Sequence, residues 1–249
     1  MPELIINGPA GRIEARYHHD SASDSPVALI LHPHPQFGGT MNNQVVYTLY
    51  HTFAERGFSV LRFNFRGVGR SQGIWDGGPG ELSDAASALD WLQLVKPDAK
   101  SCWIAGVSFG TWIAMQLLMR RPEVEGFICV APPSNLYDFS FLAPCPSSGL
   151  MINGDKDRVV PTNSVGELSQ RLKTQRGIKI THQVVPGANH FFENKLDELK
   201  EAVGTYVDER MEQSEKDRVQ EKERERERER ERQRQREIER QEEQGGGEA

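Results

Sequence analysis

Through residues 1–207, short runs dense in Val, Ile, Leu and Phe alternate with stretches whose apolar residues recur every three or four positions. That alternation predicts strands joined by crossover helices, an α/β fold with a mostly parallel sheet of about eight strands and helices on both faces. The apolar runs place strands at 4–7, 12–17, 27–31, 59–65, 101–105, 126–131, 149–153 and 179–185. The first two lie close together and are punctuated by polar residues, the pattern of an antiparallel edge. The later ones are separated by helix-length segments and are expected to run parallel. Helices are predicted at about 43–56, 80–94, 109–121, 163–175 and 195–210. Polar residues around Ser83 open one of them, and Gly57, Pro97 and Pro122 follow three others as stop signals.

Residues 208–249 break the pattern. "EKERERERERERQRQREIERQEEQGGGEA" has almost no apolar residue, so it has nothing with which to build a core and is expected to be solvated. Glu and Arg favour helix, but their strict alternation sets opposite charges at i,i+3 and like charges at i,i+4, effects that partly cancel. A solvated, fraying helix or a disordered polyampholyte is expected. Val219 and Ile238 are too sparse to form the seam of a coiled coil. The domain organisation expected is one α/β domain over 1–207 and a charged tail over 208–249.

Charge narrows the class of partner. The tail carries sixteen acidic and twelve basic residues, leaving twenty acids and eighteen bases for the body, so neither part is basic enough to suggest nucleic acid. "MPELIINGPAGR" lacks the charged and apolar regions of a secretion signal, and no apolar stretch approaches the roughly 18 residues that span a bilayer. The expectation is a soluble, cytoplasmic protein with no membrane partner. Cys102, Cys129 and Cys145 have neither the even count nor the spacing of a disulfide framework, and reduced thiols are expected, with Cys102 and Cys129 in strands.

The strongest chemical signal lies in "SCWIAGVSFGTWIAMQLLMRRP", residues 101–122. It reads strand, then Gly106-Val107-Ser108-Phe109-Gly110, then helix, the order that a G-x-S-x-G nucleophile elbow requires. A serine on so tight a turn needs very small residues two positions to either side, and Gly106 and Gly110 satisfy this. The elbow also sets Ser108 at a helix N-terminus, where free N–H groups favour a developing oxyanion. A serine hydroxyl needs a base to take its proton and a carboxylate to hold that base. "GLMINGDKDRVVP" is a buried strand ending in two aspartates, and "HQVVPGANHFF" is a strand ending in a histidine, so the order Ser, acid, His is available.

These blocks, with "HPHPQFGGTMNN", "FNFRGVGRSQG" and "GELSDAASALDW", resemble the α/β-hydrolase superfamily over about residues 1–207. More narrowly they resemble small bacterial dienelactone-hydrolase-like serine hydrolases. The resemblance implies an α/β-hydrolase fold and places the acid at the aspartate of G-x-x-D-x-x-V-P. That pattern falls on Gly154, Asp157, Val160 and Pro161, so it selects Asp157 over Asp155, and it matches His190 to the base. Asp155 is then expected to cap backbone N–H groups of its own loop. The nucleophile departs from the dienelactone hydrolases, serine here where they have cysteine, so their substrate does not transfer.

In the same fold the loop after strand 27–31 completes the oxyanion hole, with the N–H of Phe109 as the other donor. Pro33 and Pro35 have no N–H to give. That leaves His34 or Gln36, and the resemblance of "HP" to the His-Gly of many relatives favours His34. The prolines fix the loop, and Gly38 and Gly39 let the chain pass close to a substrate. The H-x-H spacing of His32 and His34 also suits zinc, but a metal needs three or four ligands, and His18, His19, His51 and His182 show no spacing that supplies them. No metal and no cofactor is expected. "FNFRGVGRSQG" lacks the lysine of a phosphate-binding loop and is expected to be a tight turn with Arg66 in structural hydrogen bonds. Asn64 stands where many relatives have aspartate.

Between residues 131 and 149 there is room for no helical cap, so the pocket is expected to be shallow. Candidate walls are Phe37, Trp75, Tyr137, Phe139, Phe141 and Phe192, with Gln36, Phe37 and Phe192 the substrate contacts expected. The activity expected is hydrolysis of a small carboxylic ester or thioester through an acyl-enzyme. The partner is a small acyl substrate, and self-association as a homo-oligomer stays open. The competing expectation is a catalytically weak hydrolase-fold binding protein whose charged tail recruits a partner.

Overall fold

Val27, Ala28, Leu29, Ile30 and Leu31 are all buried, as a strand covered on both faces requires. They form β3 (Val27–Leu31), near the middle of the sheet. The computed structural model describes residues 3–174 and 177–245, with side chains through Gln233. Among the described residues the other strands are β1 (Glu3–Gly8), β2 (Gly11–His18), β4 (Ser59–Phe63), β5 (Cys102–Val107), β6 (Val124–Val130), β7 (Ser148–Gly154) and β8 (Ile180–Val185). Their order is β1-β2-β4-β3-β5-β6-β7-β8. β1 pairs antiparallel with β2, β2 antiparallel with β4, and all further pairs are parallel. The protein therefore has the α/β-hydrolase architecture expected of its sequence.

The topology itself singles out one place. From β3 the chain moves outward to β4, then returns past β3 to β5 on its other side. Where strand order reverses in this way, the loops leaving two neighbouring strands diverge and open a crevice at their C-terminal ends. Here those loops follow Leu31 and Val107.

Four α-helices pack on the sheet, α1 (Gln44–Ala54), α2 (Pro79–Val95), α3 (Phe109–Leu118) and α4 (Thr162–Lys173), and a fifth, α5 (Leu196–Gly245), follows β8 in the chain. Alternate strand residues take opposite faces. Leu29, Ile104 and Phe127 enter one core with Ala88 of α2, Ile113 of α3 and Leu168 of α4. On the other face Trp103 packs edge-on against Phe53 of α1 and against Phe58, with centroids 6.1 and 6.3 Å apart. Asn43 starts α1 by accepting the N–H of Val45 on its side-chain oxygen at 2.9 Å. The three cysteines are free and buried, and burial raises the thiols of Cys129 and, to about 12, of Cys102.

Several boundaries differ from the expected ones for local reasons. β4 stops at Phe63, not at residue 65, because Asn64 N–H turns to Glu14 O at 2.8 Å and Phe65 N–H to the His32 ring at 3.0 Å. α3 ends at Leu118, three residues early, since Arg120 and Arg121 tighten to the carbonyls of Leu117 and Leu118 ahead of Pro122. Gln175, expected to end α4, lies outside the described residues. α5 is continuous through the charged tail, with ion pairs such as Lys216–Glu212 along it. The chain divides into two compact units, Met1–Gly204 and Thr205–Ala249. No described helix is both long and apolar enough to cross a membrane.

Candidate active site

Ser108 follows β5 and caps α3 with φ 50° and ψ −121°, a left-handed setting that costs a non-glycine residue about 1–3 kcal/mol. The surrounding packing explains why its neighbours are glycines. A Cβ on Gly110 would stand 2.5 Å from the carbonyl oxygens of Leu31 and His32, and one on Gly106 would stand 2.5 Å from Gly110 O. Larger residues would push the elbow away from the end of β3. Ser108 N–H donates to Val130 O at 2.8 Å, tying the turn to β6.

The loops after β7 and β8 bring two further groups to this point. His190 Nε2 lies 3.1 Å from Ser108 Oγ, and its Nδ1 lies 2.8 Å from Asp157 Oδ2. A carboxylate only accepts, so Nδ1 carries the proton and Nε2 is free to accept from the serine hydroxyl. Asp157 is held in turn: its Oδ1 accepts the N–H groups of Val159 and Val160, each at 2.8 Å. Asp155 points elsewhere, accepting Gly187 N–H at 2.6 Å, and so bridges the two loops. Such a chain can pass a proton from Ser108 to His190 while Asp157 stabilises the charged ring.

The loop after β3 folds into a short 3-10 turn, Pro35–Phe37, capped by His34. His34 O accepts from Phe37 N–H at 3.1 Å and from Gly39 N–H at 3.0 Å, and His34 Nδ1 accepts Gln36 N–H at 3.2 Å. Among the described residues, His34 N–H has no such partner. Phe109, first residue of α3, likewise has an N–H beyond reach of any intrahelical carbonyl. His32 uses both ring nitrogens, Nδ1–H donating to Pro33 O at 2.6 Å and Nε2 accepting from Phe65 N–H. Burial holds its pKa down to about 3, so it is neutral. With both nitrogens engaged, His32 has no lone pair for a metal, and no cluster of three or more His, Cys, Asp or Glu able to hold one occurs among the described residues.

A cavity of about 560 Å³ opens over Ser108, His190, His34 and Phe109, and its remaining walls are apolar. Phe37 and Tyr137 line it as expected. The other aromatic expectations need correction. Phe192 is fully buried with φ 54°, and its neighbour Phe191 lines the cavity instead, half exposed. Gln36 is exposed and outside the lining. Phe139 is buried, Phe141 stacks beside it, and Trp75 packs behind the wall, 4.5 Å from the His34 ring and 5.1 Å from that of Phe109. Pro33 of the loop after β3 also lines the cavity, and Pro133, Leu136 and Val159 complete the walls. Sequence reasoning missed these three, since isolated apolar residues in loops carry no periodic signal.

Residues 12–245 match the family described as X-Pro dipeptidyl-peptidase (S15 family). The chain belongs to the S15 family of α/β hydrolases. It is 51% identical over 211 residues to an uncharacterized protein of Rickettsia prowazekii, covering 83% of this chain and 89% of that one. A crystal structure from Agrobacterium tumefaciens, of a protein of unknown function assigned to the α/β hydrolases, is 64% identical with a TM-score of 0.83, covering 85% of this chain and 97% of the other. A lidless serine hydrolase from Xanthomonas campestris is 32% identical with a TM-score of 0.75, covering 84% and 94%. In this S15-family hydrolase the segment after β4 is braced from below. Arg66 clamps Asp84 of α2 through Nε at 3.0 Å and a terminal nitrogen at 2.8 Å. Asn64, in place of the usual aspartate, joins Met41 N–H to the Glu14 carboxylate.

Proposed function

We propose that this hydrolase cleaves a small carboxylic ester or thioester through an acyl-enzyme formed on Ser108. The observation that carries the reading is the hydrogen-bonded chain Asp157–His190–Ser108 opening into an apolar cavity beside two N–H groups. His190 Nε2 takes the Ser108 proton as Oγ bonds to the substrate carbonyl carbon. The carbonyl oxygen becomes an oxyanion facing the N–H groups of His34 and Phe109. As the tetrahedral intermediate collapses, the bond to the leaving oxygen or sulfur breaks and His190 returns the proton to that atom. A water then gives its proton to His190 and attacks the acyl carbon, and the bond to Oγ breaks as His190 reprotonates the serine. Phe37, Tyr137 and Phe191 hold the acyl group by apolar contact.

The lining also bears on the dipeptidyl-peptidase activity in the family's description. An enzyme releasing dipeptides must hold its substrate's free amino terminus near the scissile bond. The described lining of the apolar cavity over Ser108 offers no carboxylate for it, which favours an uncharged acyl group. The test is labelling with a fluorophosphonate, followed by assays on short-chain p-nitrophenyl esters and on an X-Pro anilide. Label on Ser108, ester turnover and loss of both in Ser108→Ala are expected. Undiminished turnover in Ser108→Ala would overturn the mechanism, and faster anilide than ester cleavage would overturn the substrate class.

A further inference from the structure

A second cavity, of about 660 Å³, adjoins the apolar one and shares Val159, His190 and Phe191 with it. Its other walls are polar: Asp155, Lys156, Asp157, Arg158 and Asn189. Lys156 and Arg158 flank Asp157 in the sequence, so the turn that delivers the acid also presents two cations beside the base. That turn is stiff. Lys156 N–H donates to Ala188 O at 3.0 Å, and Asp157 Oδ1 holds the N–H groups of Val159 and Val160. Asp155 does not neutralise the cations through an ion pair, its carboxylate being engaged with Gly187 N–H. Among the described residues neither the Lys156 ammonium nor the Arg158 guanidinium has an ion pair or side-chain hydrogen bond.

The position of His190 decides which part of a substrate meets these cations. The scissile carbonyl sits at Ser108 with its oxygen towards His34 and Phe109, so one substituent occupies the apolar cavity. The other leaves past His190, which must reach the departing atom to protonate it. That substituent enters the polar cavity. We infer that Lys156 and Arg158 form an anion subsite for the leaving group, and that the substrate is an ester or thioester whose alcohol or thiol part carries a carboxylate or phosphate. An apolar acyl group on one side of His190 and an anionic leaving group on the other match the division of the two cavities. The inference rests on the serine-hydrolase reading for the direction of departure, while the subsite itself can be tested without turnover.

The experiment uses matched pairs of butyrate esters on the full-length protein: 3-hydroxybenzoate against its methyl ester, and glycerol 3-phosphate against glycerol. The quantity read is the ratio of kcat/KM, anionic over neutral, which cancels effects common to both esters. In the Lys156→Ala/Arg158→Ala double variant the ratio should fall about tenfold in at least one pair, and further in the double glutamate variant. Rising salt should lower the wild-type ratio and leave that of the double variant flat. Whichever pair responds tells carboxylate from phosphate. A ratio unchanged in both pairs, or an equal loss on charged and neutral esters, would overturn the subsite. Titration of Ser108→Ala with 3-hydroxybenzoate and glycerol 3-phosphate, followed by nuclear magnetic resonance, reads binding directly. Saturable binding that the double alanine change removes supports the subsite even if no ester is turned over. Absence of binding at millimolar concentration for both probes sinks it even if Ser108 labels normally.

Discussion

His34 Nδ1 accepts the N–H of Gln36 at 3.2 Å, so one side chain of the loop removes the competing donor and leaves its own backbone N–H free. Burial lowers the pKa of His34, which favours the neutral ring that accepts this bond. Its backbone, at φ −55° and ψ 122°, already has the shape of a proline, so His34→Pro deletes the N–H with little change of path. The expectation is that His34→Pro falls about 10²- to 10³-fold in kcat below His34→Ala, the usual cost of one lost oxyanion donor. Steady-state ester assays on the two variants check it. Equal activities would remove His34 N–H from the oxyanion site.

The two aspartates after β7 should separate cleanly. Asp157→Asn disturbs the tautomer and orientation of His190, a change that costs about 10⁴ in kcat in the serine-protease case. Asp155→Asn leaves that chain intact and weakens one bond to Gly187 N–H, for about 1 kcal/mol of stability. Assays paired with urea melts distinguish the effects, and a reversed pattern would reassign the acid.

His32 links the loop after β3 to pH. Its pKa is about 3 in the folded protein and about 6.5 unfolded, so the unfolded chain binds the extra proton and stability falls with acid. The contribution is complete above about pH 6.5 and declines from there towards about pH 3. Around pH 5 the slope from this one group approaches about 1.4 kcal/mol per pH unit. Urea melts between pH 7 and 5 should be less pH-dependent in His32→Gln than in the parent, and parallel slopes would refute the assignment.

Arg66 and Asp84 hold the turn after β4, with the Asp84 side chain 1% exposed and that of Arg66 12%. Removing Asp84 leaves the largely buried guanidinium with only the longer contact to exposed Asp76, at 3.9 Å. Asp84→Ala should cost about 3 kcal/mol, while exposed Asp98→Ala should fall within about 0.5 kcal/mol of the parent. Denaturation midpoints at a common slope give the comparison.

How much of this was legible in the sequence depends on whether the determinant was local. The elbow could be read because Gly106, Ser108 and Gly110 report one local steric demand, and strand and helix flank them in the required order. The choice of Asp157 needed the longer pattern ending in Val160-Pro161, because two aspartates one residue apart look alike until the turn places Asp155 on Gly187. The end of β4 was hidden, since Asn64 and Phe65 leave the ladder for partners at Glu14 and His32, far off in sequence. Phe191 and Phe192 were confused for a related reason. Their positions are set by a turn in which Asn189 accepts the N–H groups of Phe191 and Glu193 and Phe192 takes a positive φ, and no periodicity encodes that.

The charged tail yields the last expectation. α5 buries Leu199, Val203, Tyr206 and Val207, and beyond Val207 no described side chain is buried. Every strand, the elbow, the loops that carry Asp157 and His190, and the second cavity precede this point. A chain ending at Arg210 keeps all these buried positions and loses helix in which no described side chain is buried and whose solvated ion pairs contribute little. It should melt cooperatively and retain kcat/KM on a short ester within about twofold. A large loss of either would give the tail a part in the folded body. Retained activity with loss of a partner captured by the full chain would instead give it the recruiting role.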